Sequence, residues 1–273
     1  MSNGTLYIVA TPIGNLEDIT LRALRILKEV DIIAAEDTRH SLKLLNHYGI
    51  SKPLISYWSE KEKVRSEELI QKLRSGLSIA LISDAGTPGI SDPGHVLIER
   101  AVEEGFQIVP IPGASALTAS LSVAGLPTAE FVFIGFMPPK TSHRQKTLRS
   151  LINEQRTLVF YEAPHRIIEA LADMADIMGA RRAAIFREIT KFHEEAIRGT
   201  LPELVEKLEQ STIAGEYVIV VEGMGSGEVS FDAALGEAIA LMKKGKGRKE
   251  AVKIIAEQYG LSKKELYDRS LDV

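Results

Sequence analysis

The sequence predicts an α/β protein of two α/β units with mostly parallel sheets, followed by a small C-terminal helical appendage. Three observations predict it. Short apolar runs alternate with amphipathic helical segments from residue 5 to residue 223, as a parallel sheet covered on both faces requires. The alternation restarts after residue 115, which divides it into two sets. The chain then turns polar at GMGSGEVSFD (223–232), and only helical patterns follow. The expected units are therefore 1–115, 116–225 and 226–273.

The elements follow in order. TLYIVAT (5–11) is a buried strand, and LRALRILKEV (21–30) has helical spacing. DIIAAED (31–37) is a second strand. SLKLLNHYG (41–49) is a helix ended by Gly49, and PLISYW (53–58) is strand-like. A charged helix at 60–75 stops at Gly76. LSIALISD (77–84) is a strand, HVLIERAVEEG (95–105) a helix and FQIVPIPG (106–113) a strand. The second set opens with a small-residue helix (114–124), the strand FVFIGF (131–136) and a basic helix (141–154). RTLVFYE (156–162), RIIEALADMADIMG (166–179), RAAIFRE (182–188), a helix at 200–210 and EYVIVVEG (216–223) complete it. Three helical patterns close the chain at 232–243, 248–259 and 262–271. Gly260 separates the last two, and Ser262 with Glu265 forms a capping box. That pair reads equally as a helix-turn-helix or as a plain hairpin packed on the body.

Composition removes several classes of chemistry. The chain has no cysteine, which excludes disulfides, thiol nucleophiles and thiolate metal sites. Its six histidines, at 40, 47, 95, 143, 165 and 193, lack ligand spacing, so no metal site is expected. There is neither a GxxxxGK[ST] loop nor a GxGxxG after the first strand, which argues against NTPase or dinucleotide binding. The N-terminus has no basic n-region and no apolar run reaches membrane length; a cytoplasmic protein with no membrane partner is expected. The net charge is −4 but unevenly placed. Residues 137–166 carry six basic against two acidic side chains, and 243–273 nine against five. Two basic zones on an acidic body suit local phosphate contact.

Four loops stand at the C-terminal ends of predicted strands, the edge where open α/β sheets bind ligands. TPIGNLEDIT (11–20) makes a tight turn at Pro12 and Gly14, with Asp18 or Thr20 to cap the next helix. AEDTR (35–39) sets Glu36, Asp37 and Arg39 at a strand end. SDAGTPGISDPG (83–94) holds three Gly, two Pro and two Asp, too many for regular structure. PIPGASA (110–116) hands over to small residues that let a flat ligand approach the backbone. In the second unit, FYEAPHR (160–166) and FREITKFHEE (186–195) follow strands and mix cations with carboxylates.

TPIGNLEDIT, AEDTR, SDAGTPGISDPG, PIPGASA, YEAPHR, REITKFHEE and GEYVIVVEG occur in that order across residues 5–223. Together they resemble the bacterial 16S ribosomal RNA (cytidine-2′-O-)methyltransferases of the tetrapyrrole-methylase superfamily, and the C-terminal helices are similar to that family's appendage. The resemblance implies S-adenosylmethionine in a cleft between the two units, a homodimer, and methyl transfer to a ribose 2′-hydroxyl of 16S ribosomal RNA or the small ribosomal subunit. It places Asp84, Ala85, Gly86 and Thr87 near the cofactor, with Ser115, Ala116, Tyr161 and Gly215. Pro12, Ser91 and Asp92, on the same edge, are counted with them. A tetrapyrrole enzyme of this superfamily opens with a Gly-rich loop where this chain has TPIGN, which argues against a porphyrin-like acceptor.

A sulfonium is already a good leaving group, so the protein's main contribution is alignment. A 2′-hydroxyl is a poor nucleophile, so a nearby base or cation helps. Glu36, Asp37, Arg39, Glu162, His165 and Lys191 are candidates, and the residues do not choose among them. Arg39 with His165 and Arg166 is expected to converge across the cleft. Lys140, His143, Arg144, Lys146 and Arg149, with Lys243 to Lys249, are candidates for RNA phosphate contact. Two rival readings are a small-molecule methylase of tetrapyrrole type and a non-enzymatic RNA-binding assembly factor. The basic zones count against the first, and the clustered strand-end loops against the second.

Overall fold

The structure is a computed structural model that describes residues 4–225, 231–259 and 261–271. Gly260 and part of the polar break (226–230) lie outside the described residues.

The first sheet holds β1 (Thr5–Val9), β2 (Ile32–Ala35), β3 (Leu54–Ser56), β4 (Ile79–Ile82) and β5 (Gln107–Ile111) in the order β3-β2-β4-β1-β5. Every pairing is parallel, as the strand–helix alternation requires. All residues of β2 and β4 are buried, because helices cover both faces. Leu6, Ile8 and Leu81 face a cluster with Leu69 and Leu97 of α3 (Glu62–Arg74) and α4 (His95–Glu103). Val9, Ile33 and Ala80 alternate to the other face, against Leu27 of α1 (Leu21–Glu29) and Leu45 of α2 (Thr38–His47). Pro110 has no N–H to give to a ladder and is accommodated in β5 because β5 is an edge strand. Thr20, not Asp18, caps α1: its side chain accepts the Ala23 N–H at 3.1 Å.

This order sets the non-consecutive strands β1 and β4 side by side, and their outgoing loops meet. Thr11 and Gly86 exchange both backbone hydrogen bonds, at 2.8 and 3.1 Å.

The second sheet runs β6-β7-β10-β8-β9, from β6 (Phe131–Phe136), β7 (Thr157–Glu162), β8 (Arg182–Arg187), β9 (Glu195–Thr200) and β10 (Tyr217–Val221). Here the direction of the strands departs from expectation. Only β6 and β7 pair in parallel; β10 is antiparallel to both β7 and β8, and β8 is antiparallel to β9. The cause is β9, which follows β8 without an intervening helix. Its sequence, EAIRGT, has no apolar period, as suits an edge strand, so it reads as loop. Once β9 reverses the chain, the crossover through α8 (Leu201–Glu209) returns β10 in the reversed direction.

The second sheet's core joins Leu158, Phe160, Ile185 and Ile219 to α7 (Ile167–Met178) and α8. The opposite face packs on Leu121 of α5 (Ala116–Val123) and on Ala124, which follows that helix. One expected RNA contact is corrected here. Arg144, on α6 (Thr141–Ser150), is buried to 1% exposure and its Nε donates to Asp173 at 2.6 Å. It lies four residues before the buried Leu148 and so shares the inward face of α6; a buried guanidinium requires a partner there. Lys140, His143, Lys146 and Arg149 are exposed.

The C-terminal helices α9 (Phe231–Lys243), α10 (Arg248–Tyr259) and α11 (Lys263–Leu271) build a separate small core from Ala234, Ala238, Val252, Ile255 and Leu266. The Ser262 side chain accepts the Glu265 N–H at 3.3 Å, the half of the capping box that closes the start of α11. Among the described residues no helix is long and apolar enough to cross a membrane.

Candidate active site

The carboxyl edges of the two sheets enclose a cleft of about 350 Å³. Three loops form its first-sheet wall: Ile13 after β1, Ala85 to Thr87 with Ile90 to Asp92 after β4, and Ser115–Ala116 after β5. The opposite wall is Phe136, Tyr161 to Pro164, Ile189, Lys191 and Glu216 to Val218. Pairing explains the second wall: Tyr217 lies beside Glu162 of β7 and Arg187 of β8, and Val218 beside Tyr161. Because β10 is antiparallel, its first residues reach the edge where β7 and β8 end.

Backbone geometry shapes the first wall. Gly86 has φ +80° and is pinned by its two hydrogen bonds to Thr11. Ser91 holds a left-handed φ of 65°, which is strained for a residue with a Cβ. The β6–β7 register shifts between Phe133 and Gly135, and this bulge lets Gly135 approach Ser91. A Cβ on Gly135 would sit 2.9 Å from Ser91 Oγ. The shift turns Phe136 at the strand end onto the cleft.

The electrostatics are mixed but mainly acidic. Burial, reinforced by the nearby Glu36 carboxylate, pushes the Asp92 carboxyl up to about 6. Burial likewise raises Glu36 above the usual carboxylate range. Glu162 is 1% exposed; its Oε1 accepts the Ala163 N–H at 2.8 Å and pairs with Arg166 at 2.5 Å. Its Oε2 is buried without a hydrogen-bond partner. Burial pulls the Lys191 ammonium down, but hydrogen bonds to Glu188 and Glu216, at 2.8 and 3.1 Å, outweigh it and hold the pKa above the ordinary value. Lys191 is therefore a cation at neutral pH and unavailable as a base. Its stem lies on Gly14, where no room remains for a Cβ.

Several observations together make a built recess for a cationic, partly planar ligand. The wall residues Ala85, Gly86, Ser115, Ala116 and Ala163 are small, Phe136 and Tyr161 are aromatic, and Glu162 adds a buried carboxylate with one unpaired oxygen. The sequence profile of the Tetrapyrrole (Corrin/Porphyrin) Methylases matches residues 5–205. This chain belongs to that family. It is accordingly a methyltransferase. Its relatives include proteins named ribosomal RNA small subunit methyltransferase I. The one from Halalkalibacterium halodurans is 46% identical over 272 residues, covering 97% of this chain and 94% of that protein. The one from Synechocystis is 45% identical, covering 99% and 98%; that of Bacillus subtilis is 43% identical, covering 97% and 93%. Among solved structures, diphthine synthase superposes with a TM-score of 0.61 at 17% identity, over 80% of this chain and 90% of that one. Uroporphyrin-III C-methyltransferase from Thermus thermophilus, complexed with S-adenyl homocysteine, does so at 0.56 and 19%, over 80% and 97%. These last two establish the fold.

The expected site residues divide clearly. Ala85, Gly86, Thr87, Ser91, Asp92, Ser115, Ala116 and Tyr161 line the cleft, and so do Glu162 and Lys191. Pro12 and Asp84 line a second, adjoining pocket. Gly215 lies under the Glu188 side chain and is not part of the cleft wall. Arg39, His165 and Arg166, expected to converge, do not line the cleft. Asp37 caps α2 and is gripped by the Arg39 guanidinium, whose side chain is 90% exposed. Arg166 is held on Glu162, and His165 is exposed in a short turn. Glu36 lies behind the wall, 3.5 Å from the Asp84 N–H.

Sequence reasoning missed Ile13, Ile90, Phe136, Ala163, Pro164, Ile189, Glu216, Tyr217 and Val218. Phe136 ends a predicted strand, so the strand-end rule was enough to find it. Glu216 to Val218 had no such signal, because they begin a strand whose reversal the sequence does not display.

Proposed function

We propose that this methyltransferase transfers a methyl group from S-adenosylmethionine to a ribose 2′-hydroxyl, that of a cytidine, in 16S ribosomal RNA. The observation that carries the small-subunit RNA acceptor is the full-length match, at 43–46% identity, to proteins named ribosomal RNA small subunit methyltransferase I; the ribose and the cytidine rest on the resemblance of the ordered motifs. The cleft supports it, since its residues fit the cofactor. Ala85 to Thr87, Ser115 and Ala116 admit a flat adenine against the backbone, and Phe136 and Tyr161 offer aromatic faces. Asp92, Glu162 and Glu216 balance positive charge.

S-adenosylmethionine supplies a methyl on a sulfonium, whose sulfur keeps the bonding electrons when the ribose oxygen takes the methyl. The protein's part is to align that oxygen and receive its proton. Asp92, pushed up to about 6 and lining the cleft, is the acceptor for that proton. Lys191, kept as an ammonium by Glu188 and Glu216, stabilises the developing negative charge on the ribose oxygen. The protein works as a cytoplasmic homodimer in this reading.

The test is to incubate the purified protein with labelled S-adenosylmethionine and small ribosomal subunits, digest the RNA to nucleosides, and identify the product. 2′-O-methylcytidine is expected. A base-methylated nucleoside overturns the reaction, and label confined to small molecules overturns the acceptor.

A further inference from the structure

Beside the cleft lies a second pocket of about 270 Å³. Its walls are the loop after β1 (Thr11, Pro12, Gly14), one side of α2 (His40, Ser41, Lys43) and the start of the loop after β4 (Ser83, Asp84). The two cavities share their partition. Ile13 faces the cleft, while its neighbours Pro12 and Gly14 face the second pocket. Likewise Asp84 lines the pocket and Ala85 the cleft.

Ser41 is the informative residue. It is 2% exposed and lines the pocket, yet its Oγ makes no hydrogen bond. A helical serine readily satisfies itself by donating to a carbonyl three or four residues back, as Ser120 and Ser122 do elsewhere in this chain at 3.0 and 2.8 Å. A buried hydroxyl left unpaired is unfavourable, and one that lines a pocket is open to a partner there. One cationic and one imidazole side chain stand with it. Lys43 and His40 are exposed on the same side of α2, and neither enters a salt bridge among the described residues. Asp84 adds an acceptor already oriented by the Asp37 N–H, which its Oδ1 receives at 3.0 Å. A buried hydroxyl, a fixed carboxylate, a rim ammonium and a rim imidazole in a small recess match a sugar with an attached phosphate.

We propose that this pocket binds one ribose-phosphate unit of the RNA acceptor, with its phosphodiester on Lys43 and His40 and its sugar or base polar edge on Ser41 and Asp84. The inference rests on the RNA-methylation reading and adds to it the place where the strand is gripped next to the cleft. It also gives the Pro12–Gly14 loop a role as a thin partition between cofactor and acceptor. Through Gly14 that partition bears on Lys191.

The test uses the full-length protein with three variants: Ser41→Ala, Lys43→Glu and, as control, Lys28→Glu, an exposed lysine in the last turn of α1. That turn lies at the opposite sheet edge, because α1 runs back from the end of β1. The probe is the small ribosomal subunit, with KM, kcat and the salt dependence of RNA binding measured beside calorimetric titration with S-adenosylmethionine. Lys43→Glu is expected to raise KM at least tenfold at low salt and to reduce the salt slope by about one unit, as loss of one phosphate contact does. Ser41→Ala is expected to raise KM about threefold to tenfold, as loss of one hydrogen bond does. Cofactor affinity should be unchanged in both, and Lys28→Glu should behave as wild type. Wild-type KM and salt slope in Ser41→Ala and Lys43→Glu overturn the pocket while leaving the methylation reading intact. An equal loss in Lys28→Glu overturns it too, since general charge then explains the effect. Failure of the wild-type protein to label RNA removes the methylation reading itself, and the pocket assignment with it.

Discussion

Gly86 is the position where backbone conformation and the cleft wall are most directly joined. Its φ of +80° lies in the left-handed region, and both its N–H and C=O are bonded to Thr11. A side chain there cannot relax by changing φ without breaking a pair of hydrogen bonds. A Cβ would meet Ile13 Cγ2 at 3.5 Å and the Ala114 carbonyl at 3.9 Å, both ordinary contacts, so the protein itself has room for it. The folding cost of Gly86→Val is then conformational, about 2 kcal/mol. Gly49 provides a matched control: φ is +62°, nothing lies within 4 Å of its Cβ position, and it follows the end of α2. Gly49→Val should therefore cost about the same 2 kcal/mol. Only Gly86→Val adds branched methyls to the cleft wall, and it should weaken S-adenosylmethionine binding at least tenfold, about 1.4 kcal/mol. Denaturant unfolding gives the first quantity and calorimetric titration of the folded proteins the second. Wild-type cofactor affinity in folded Gly86→Val refutes the placement of this loop against the cofactor. An equal loss of affinity in Gly49→Val refutes the separation of strain from binding.

Arg144→Ala should destabilise the protein by about 3–5 kcal/mol, because it leaves the buried Asp173 without its ion-pair partner. Arg149→Ala should leave stability unchanged and flatten the salt dependence of RNA binding; the reverse pattern would restore Arg144 as an RNA contact. Asp92 titrates near 6 in the folded protein against 3.8 for the free group, so the folded state loses stability as pH rises through that interval. Asp92→Asn should thus be more stable than wild type at pH 7.5 and lose that advantage by pH 4. The full shift corresponds to about 3 kcal/mol, and solvent screening in a partly open cleft reduces this to about 1–2 kcal/mol. Unfolding curves at the two pH values check the sign. Truncation after Gly225 should leave cofactor affinity intact and weaken RNA binding with a lower salt slope, because α9 to α11 pack chiefly on one another. Loss of cofactor binding in the truncated protein would show that these helices support the cleft.

By itself the sequence determined the elements whose signal is local. Buried strands such as IIAA and IALI are continuous apolar runs, and a helix such as α1 carries its own period and its Thr20 cap. The strand-end loops were legible for the same reason: Gly and Pro at 83–94 cannot be regular structure wherever they fall in space. Most of the first cleft wall followed. The tertiary structure alone decided what depends on strand neighbours and direction. An apolar run such as YVIVV reads identically in a parallel and an antiparallel setting, so nothing local announced that β10 would bring Glu216 and Tyr217 to the cleft. Charge was equally silent about its surroundings. Arg39, Arg144, Arg166 and Lys191 are all cations in basic or mixed segments. Packing assigns them to a helix cap, a buried ion pair, a brace on Glu162 and the cleft wall. A side chain's role follows from which carboxylate lies beside it and how much water remains, and both are set by residues distant in the chain.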